Sequence, residues 1–136
     1  MRRRAMIAVA TVGLALGGCA ASPKFDCEAG ERAAVVDTVY FGSTRPQGVV
    51  TSAEWAAFLR SVVTPRFPRG LTWWDAAGQW RAVDGSMLHE AAHVLQVVHP
   101  PSAEDDAAMR AIVGDYKARF QQEAVLRVRA PGCLSF

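Results

Sequence analysis

The stretch His89-Glu90-Ala91-Ala92-His93-Val94-Leu95-Gln96-Val97-Val98-His99 admits two conformations, and the choice between them decides the fold. As a helix it reads H-E-x-x-H-x5-H, the ligand spacing of metzincin zinc proteases. His89 and His93 then share a helix face, His99 is the third ligand and Glu90 activates the water. As a strand, the same residues put His89 and His93 roughly 13 Å apart at about 3.3 Å per residue, too far to share one ion.

The strand is the better reading. Metzincins place Gly where this chain has Gln96, because the helix must break there, and Gln enters that backbone shape reluctantly. Val94 to Val98 is rich in residues that favour strands, although Met87 to Gln96 has fair helix propensity. The Met-turn of such enzymes has no counterpart, since Met109 falls inside a helical pattern. A helix here also leaves the Asp84-Gly85 hairpin signal without a second strand. His93 to His99 is therefore expected to be a strand ended by Pro100-Pro101, with His89 and His93 as partly exposed polar residues. No metal or other cofactor is expected.

Working outward, Ala33 to Gly42 (AAVVDTVYFG) reads as the first strand. Thr51-Ser52-Ala53-Glu54 is a capping box, and Trp55, Phe58, Leu59, Val62 and Val63 recur at helical spacing until Thr64-Pro65 stops the helix. Leu71 to Asp75 opens the second strand, which continues past a bulge at Ala77-Gly78 to Arg81. After the third strand, Ser102 to Phe120 forms a second helix, with Ser102 as cap, acids in its first turn and Ala108, Ile112, Val113, Tyr116 and Phe120 as its stripe. Ala124 to Arg129 (AVLRVR) is the fourth strand, with Arg127 and Arg129 on a solvated face. The order β-α-β-β-α-β points to an α+β, ferredoxin-like sandwich. In it, four antiparallel strands in spatial order 4-1-3-2 carry two helices on one face.

The N-terminus reads as an address. Met1-Arg2-Arg3-Arg4 is basic, and Ala5 to Leu16 is uncharged and apolar but shorter than the roughly 20 residues a spanning helix needs. Leu16-Gly17-Gly18-Cys19 is a lipobox, so residues 1–18 are expected to be a lipoprotein signal peptide and Cys19 the lipidated residue. The three arginines also fit a twin-arginine signal. Residues 19–32 then form a tether, and 33–136 a single domain. Ala20, rather than Asp, after the cysteine suggests the outer membrane, facing the periplasm. An amine-linked acyl chain added to the diacylglycerol makes the anchoring stable.

Without residues 1–18 the chain keeps 12 basic and 13 acidic side chains, so the net charge of +2 belongs to the signal and nothing argues for nucleic-acid binding. With Cys19 taken by lipid, Cys27 and Cys133 remain in an oxidising compartment and are expected to pair. In the 4-1-3-2 order the start of the first strand adjoins the end of the fourth, which brings these two cysteines together.

Chemistry-bearing sets are sparse. Tyr40, Arg45 and Glu90 are candidates for the polar groups of a small pocket between sheet and helices. Trp73, Trp74 and Trp80 are either core, dimer face or ligand surface. No phosphate loop, Ser/His/Asp set or cysteine nucleophile is evident.

One set of residues carries a resemblance. It comprises Tyr40-Phe41-Gly42, Glu54-Trp55, Val63-Thr64-Pro65-Arg66-Phe67-Pro68, Gly70-Leu71-Thr72, Gly78-Gln79-Trp80-Arg81, His99-Pro100, Tyr116-Lys117, Arg119-Phe120 and Gln122 to Arg127. Over about residues 33–136 it resembles a family of bacterial lipoproteins without assigned activity, domain-of-unknown-function family 3574. The resemblance implies an envelope protein and brings no catalytic residue. It also implies Arg or Lys on either side of Glu90 where this chain has His89 and His93, so the H-E-x-x-H string is a local coincidence. The expected role is a non-catalytic binding or accessory domain that is membrane-attached by lipid and homodimeric through an open sheet face. The alternatives are a small-molecule enzyme of the dimeric α/β-barrel kind and a zinc-dependent hydrolase using His89, His93 and His99.

Overall fold

The computed structural model describes residues 26–136, so the expected signal peptide, Cys19 and half of the expected tether (19–25) lie outside the described residues. In chain order the elements are β1 (Arg32–Gly42), β2 (Thr44–Arg45), β3 (Gly48–Val49), α1 (Ser52–Phe58), a π-helical turn (Leu59–Val63), α2 (Thr64–Arg66), β4 (Thr72–Arg81), β5 (Met87–His99), α3 (Ala103–Phe120) and β6 (Leu126–Leu134). The four long strands form one antiparallel sheet in the order β4-β5-β1-β6. Numbered among themselves and read from β6, they run 4-1-3-2. No described helix is long and apolar enough to cross a membrane.

The deciding stretch is extended throughout. β5 begins at Met87, six residues before His93, so the whole H-E-x-x-H string lies on a strand paired with β4. Its partner runs without a bulge: Ala77 and Gly78 face Ala91 and Glu90 in unbroken register, correcting the expected break there. Asp84 closes the hairpin by accepting from the Ser86 backbone N–H (2.9 Å) and hydroxyl, while Gly85 adopts φ +87°, a left-handed value suited to glycine.

Both main helices start as the sequence indicates. Thr51 Oγ1 accepts from the Glu54 N–H (3.2 Å) and the Glu54 carboxylate accepts from the Thr51 N–H (2.9 Å). Ser102 caps α3 by accepting from the Asp105 N–H, and Glu104, Asp105 and Asp106 face the positive end of the helix. Helical structure passes Thr64-Pro65, where a stop was expected, and ends at Arg66. Pro65 lies in the first turn of α2, a position that tolerates its missing N–H.

Both helices cover one face of the sheet. Val39, Phe41, Leu95 and Val97 point toward them and pack with Trp55, Phe58, Leu59, Val63, Met109, Ile112, Tyr116 and Phe120. Phe41 and Tyr116 have ring centroids 4.5 Å apart, with Trp55, Phe58 and Phe120 closing round them. This aromatic cluster fills the space between sheet and helices.

A disulfide joins Cys27 to Cys133 with Cα atoms 5.6 Å apart. Arg32 and Ala33 pair with Leu134 and Cys133, so the bridge extends the β1–β6 ladder and fixes the chain from Cys27 onward, within the segment read as tether.

Candidate functional site

Three polar assemblies and one apolar surface stand out. The most buried assembly sits beneath the start of α3. Asp37 on β1 is fully buried; its carboxylate accepts from Arg127 Nε (2.7 Å) and Nη2 (2.6 Å) and lies 2.8 Å from His99 Nε2. Burial pushes the Asp37 carboxyl up, but the Arg127 and His99 hydrogen bonds and charges outweigh it and hold it below the usual carboxylate range. Arg127 also reaches Asp106 of α3 (2.9 Å), to which Arg110 and Arg129 are paired. His99 Nδ1 lies 2.7 Å from the Pro100 carbonyl, so both of its ring nitrogens are engaged.

This corrects the reading of β6. Arg127 and Arg129 lie on the helix side, Arg127 largely covered and Arg129 still 47% exposed, while Leu126 and Val128 are 60% and 46% exposed on the other side. The alternation is inverted because Asp37 and Asp106 provide carboxylates under the helix that two guanidinium groups can meet.

A second assembly lies where β4 and β5 pass α1. His93 Nδ1 is 2.7 Å from Asp75 Oδ1, directly across the strand pair. The imidazole stacks on Trp55 at 4.5 Å between centroids and 8° between planes, and Trp73 meets both rings edge-on. Asp75 is largely exposed, whereas His93 is buried and Trp55 nearly fully so, with the indole Nε1 lacking an acceptor among the described residues.

The third assembly surrounds the expected pocket residues and does not bring them together. Arg45 turns to the start of α1 and binds both oxygens of Glu54 (2.9 and 3.0 Å). Glu54 is held below the usual carboxylate range by the Thr51 backbone N–H first, then by Arg45 and the Thr51 hydroxyl. Glu90 accepts from the Thr44 N–H (3.0 Å) and lies over Gly42, where a Cβ would come within 2.6 Å of its Oε1. Tyr40 stands on the face away from the helices, 41% exposed, and makes no hydrogen bond to either partner among the described residues. The sequence reading placed Tyr116 only in the apolar stripe of α3; its hydroxyl donates to the Gly42 carbonyl (2.9 Å). Burial first, then the nearby Glu90 charge, keeps that phenol protonated well above its ordinary range.

The three histidines do not converge. Register places Asp75 opposite His93 and Gln79 opposite His89, while His99 lies at the far end of β5 with its nitrogens occupied. Among the described residues, the one cluster of potential metal ligands comprises Cys27, Glu31 and Cys133, whose sulfurs are joined to each other.

The uncovered face of the sheet carries an apolar row beside an uncharged, mostly polar one. Trp74, Val94, Tyr40 and Leu126 form one row across all four strands; Thr72, Gln96, Thr38 and Val128 form the next. Trp74 (42%), Trp80 (38%), Leu88 (39%), Val98 (47%), Leu126 and Val128 are all exposed there together with Tyr40. Trp73 belongs to the opposite, helix-facing side, so the three tryptophans do not form one group.

The fold has relatives among solved structures. A phage SAM lyase in complex with S-methyl-5'-thioadenosine matches with TM-score 0.57 and 12% identity, over 76% of this chain and 90% of that one. CutA from Synechococcus elongatus matches with TM-score 0.51 and 8% identity, over 76% and 80% of the two chains. At such identities the likeness is one of fold alone. No curated protein sequence matches this chain. Residues 36–136 match the family described as "Protein of unknown function (DUF3574)", and the chain belongs to that family.

Proposed function

We propose that this protein is a lipid-anchored envelope component, attached through Cys19, whose ferredoxin-like domain is a binding or accessory module that pairs with a second copy through its open sheet face. The ferredoxin-like reading is supported by the 4-1-3-2 strand order and by helices that pack on a single face. The pairing reading rests on one observation: seven large apolar side chains are exposed on one sheet face, whose only charged members among the described residues are Arg32 at one end and Glu90 between the Trp80–Leu88 pair and the other five. Four strands about 4.8 Å apart and about 30 Å long make a face of roughly 600 Å² in projection, and side-chain relief brings it near the ~800 Å² per partner of a standard interface. The Trp74–Val94–Tyr40–Leu126 row at its centre offers a charged partner nothing to bind, whereas a second identical face covers it with like apolar surface.

Sedimentation of the Cys19→Ser protein tests the pairing. A dimer is expected, reduced to monomer by Val128→Glu, which buries a carboxylate in the contact. A wild-type monomer at tens of micromolar refutes it. Incorporation of a labelled fatty acid that Cys19→Ser abolishes tests the anchor, and unlabelled wild-type protein refutes it. The phage lyase brings its fold and no substrate to this reading.

A further inference from the structure

We propose that His93 is the proton-transfer residue of a small-molecule site on the helix-facing side of the β4–β5 ribbon. This site takes a planar aromatic ligand that carries an acidic O–H or N–H. It lies on the opposite side of the sheet from the pairing face and stands independently of it. The ribbon outruns the body of the sheet. The last β1 pair is Gly42 with Ala92, the Ala91 carbonyl still accepts from the Ser43 N–H (3.0 Å) and hydroxyl (2.7 Å), and from Gly78–Glu90 to Arg81–Met87 the two strands pair only with each other. On the helix-facing side its root presents successive rows: Trp73, then Asp75 with His93, then Ala77 with Ala91, then Gln79 with His89. The two alanines leave a low floor between polar rows. Trp73, 42% exposed, supplies an aromatic surface beside it, and Trp55 backs the imidazole.

The geometry of His93 is that of a general base rather than of a buried structural histidine. Asp75 at Nδ1 fixes the tautomer that carries its proton there, which leaves the Nε2 lone pair available. Among the described residues no group hydrogen-bonds to Nε2. His99 provides the contrast within the same strand, since both of its nitrogens are bonded. The parallel stack on Trp55 keeps the ring from turning. In the transfer, the ligand O–H or N–H bond breaks and its proton forms a bond to Nε2. The electron pair stays on the ligand, where the aromatic ring spreads it. The resulting imidazolium is stabilised by the Asp75 carboxylate.

The three histidines of the chain make the test internally controlled. Diethyl pyrocarbonate ethoxycarbonylates unprotonated, reachable imidazole nitrogens, and peptide mass spectrometry of the whole detergent-solubilised chain assigns the rate at each histidine. His93, although 8% exposed, is expected to react at a rate comparable with exposed His89, while His99 stays unmodified. At pH 8, Asp75→Asn should slow His93 by about tenfold or more, because an amide N–H turned to Nδ1 selects the tautomer whose proton blocks Nε2, and leave the others unchanged. Continued protection of His99 shows that the variant is folded. Millimolar 4-nitrophenol, as probe, should slow His93 alone. A His93 as inert as His99 overturns the proposal, and so does a reactive His93 indifferent to Asp75→Asn or to 4-nitrophenol.

Discussion

Replacing Arg127 with Leu removes the cation that neutralises a fully buried carboxylate while keeping apolar bulk beneath α3. Asp37 loses both guanidinium hydrogen bonds (2.7 and 2.6 Å) and retains His99 at 2.8 Å; Asp106 loses one of its arginines. Breaking a buried pair by removing one partner costs about 3–5 kcal/mol, against a total of roughly 5–15 kcal/mol for a domain this size. At about 4 °C or more per kcal/mol, the melting temperature should fall by at least ~12 °C. The pH dependence separates this cause from simple loss of packing. In the unaltered protein the lowered Asp37 carboxyl contributes stability above its unfolded value of 3.8, and this is lost as pH falls through the folded value. In Arg127→Leu, burial is opposed by His99 alone, so the folded carboxyl rises above its unfolded value and its ionisation becomes destabilising as pH rises. Urea unfolding followed by tryptophan fluorescence at pH 7 and pH 4 should therefore show a wide gap between the two proteins at pH 7 and a narrower one at pH 4. A gap below about 1 kcal/mol at pH 7, or one that does not narrow on acidification, refutes this account of the cluster.

Reducing or substituting the Cys27–Cys133 bridge, which spans a sequence separation of 106, should cost up to ~4–5 kcal/mol by loop entropy; unfolding with and without reductant measures it. Gly42→Ala should cost about 1–3 kcal/mol by driving Glu90 off the Thr44 N–H, and much less in a Glu90→Ala background. A thermodynamic cycle that proves additive would exclude that contact as the cause. In an alkaline spectrophotometric titration, Tyr116→Phe should remove only a late phase, above the ordinary phenol range, because burial and the hydrogen bond to Gly42 keep that hydroxyl protonated.

Much of the architecture was legible because local signals agreed with one another. The Thr51–Glu54 box and the Ser102 cap started helices where they occur, and Val94 to Val98 outweighed the helical propensity before it. The cysteine pair was legible from its place in the strand order. Site residues were less so. Tyr40, Arg45 and Glu90 were read as the polar groups of a pocket between sheet and helices, but pleat alternation and the turn at Ser43 send Tyr40 to the open face and Arg45 to α1. Asp75 gave no signal in the sequence, since its role depends on lying directly across from His93 in the register of the hairpin. The helix-facing arginines of β6 were misassigned because alternation identifies two faces without stating which one is covered.

The chain by itself determined what nearest neighbours decide: capping, strand propensity, turn chemistry and the order of elements. It also carries the basic Arg2–Arg4, apolar Ala5–Leu16 and Gly17-Gly18-Cys19 pattern from which an address is proposed. Tertiary structure decided which polar groups meet. Asp37, His99, Arg127 and Asp106 come from four elements and are brought together by sheet pairing and helix docking. Their mutual neutralisation is what lets charges stand where the alternation of β6 called for apolar side chains, and no window of neighbouring residues contains that information.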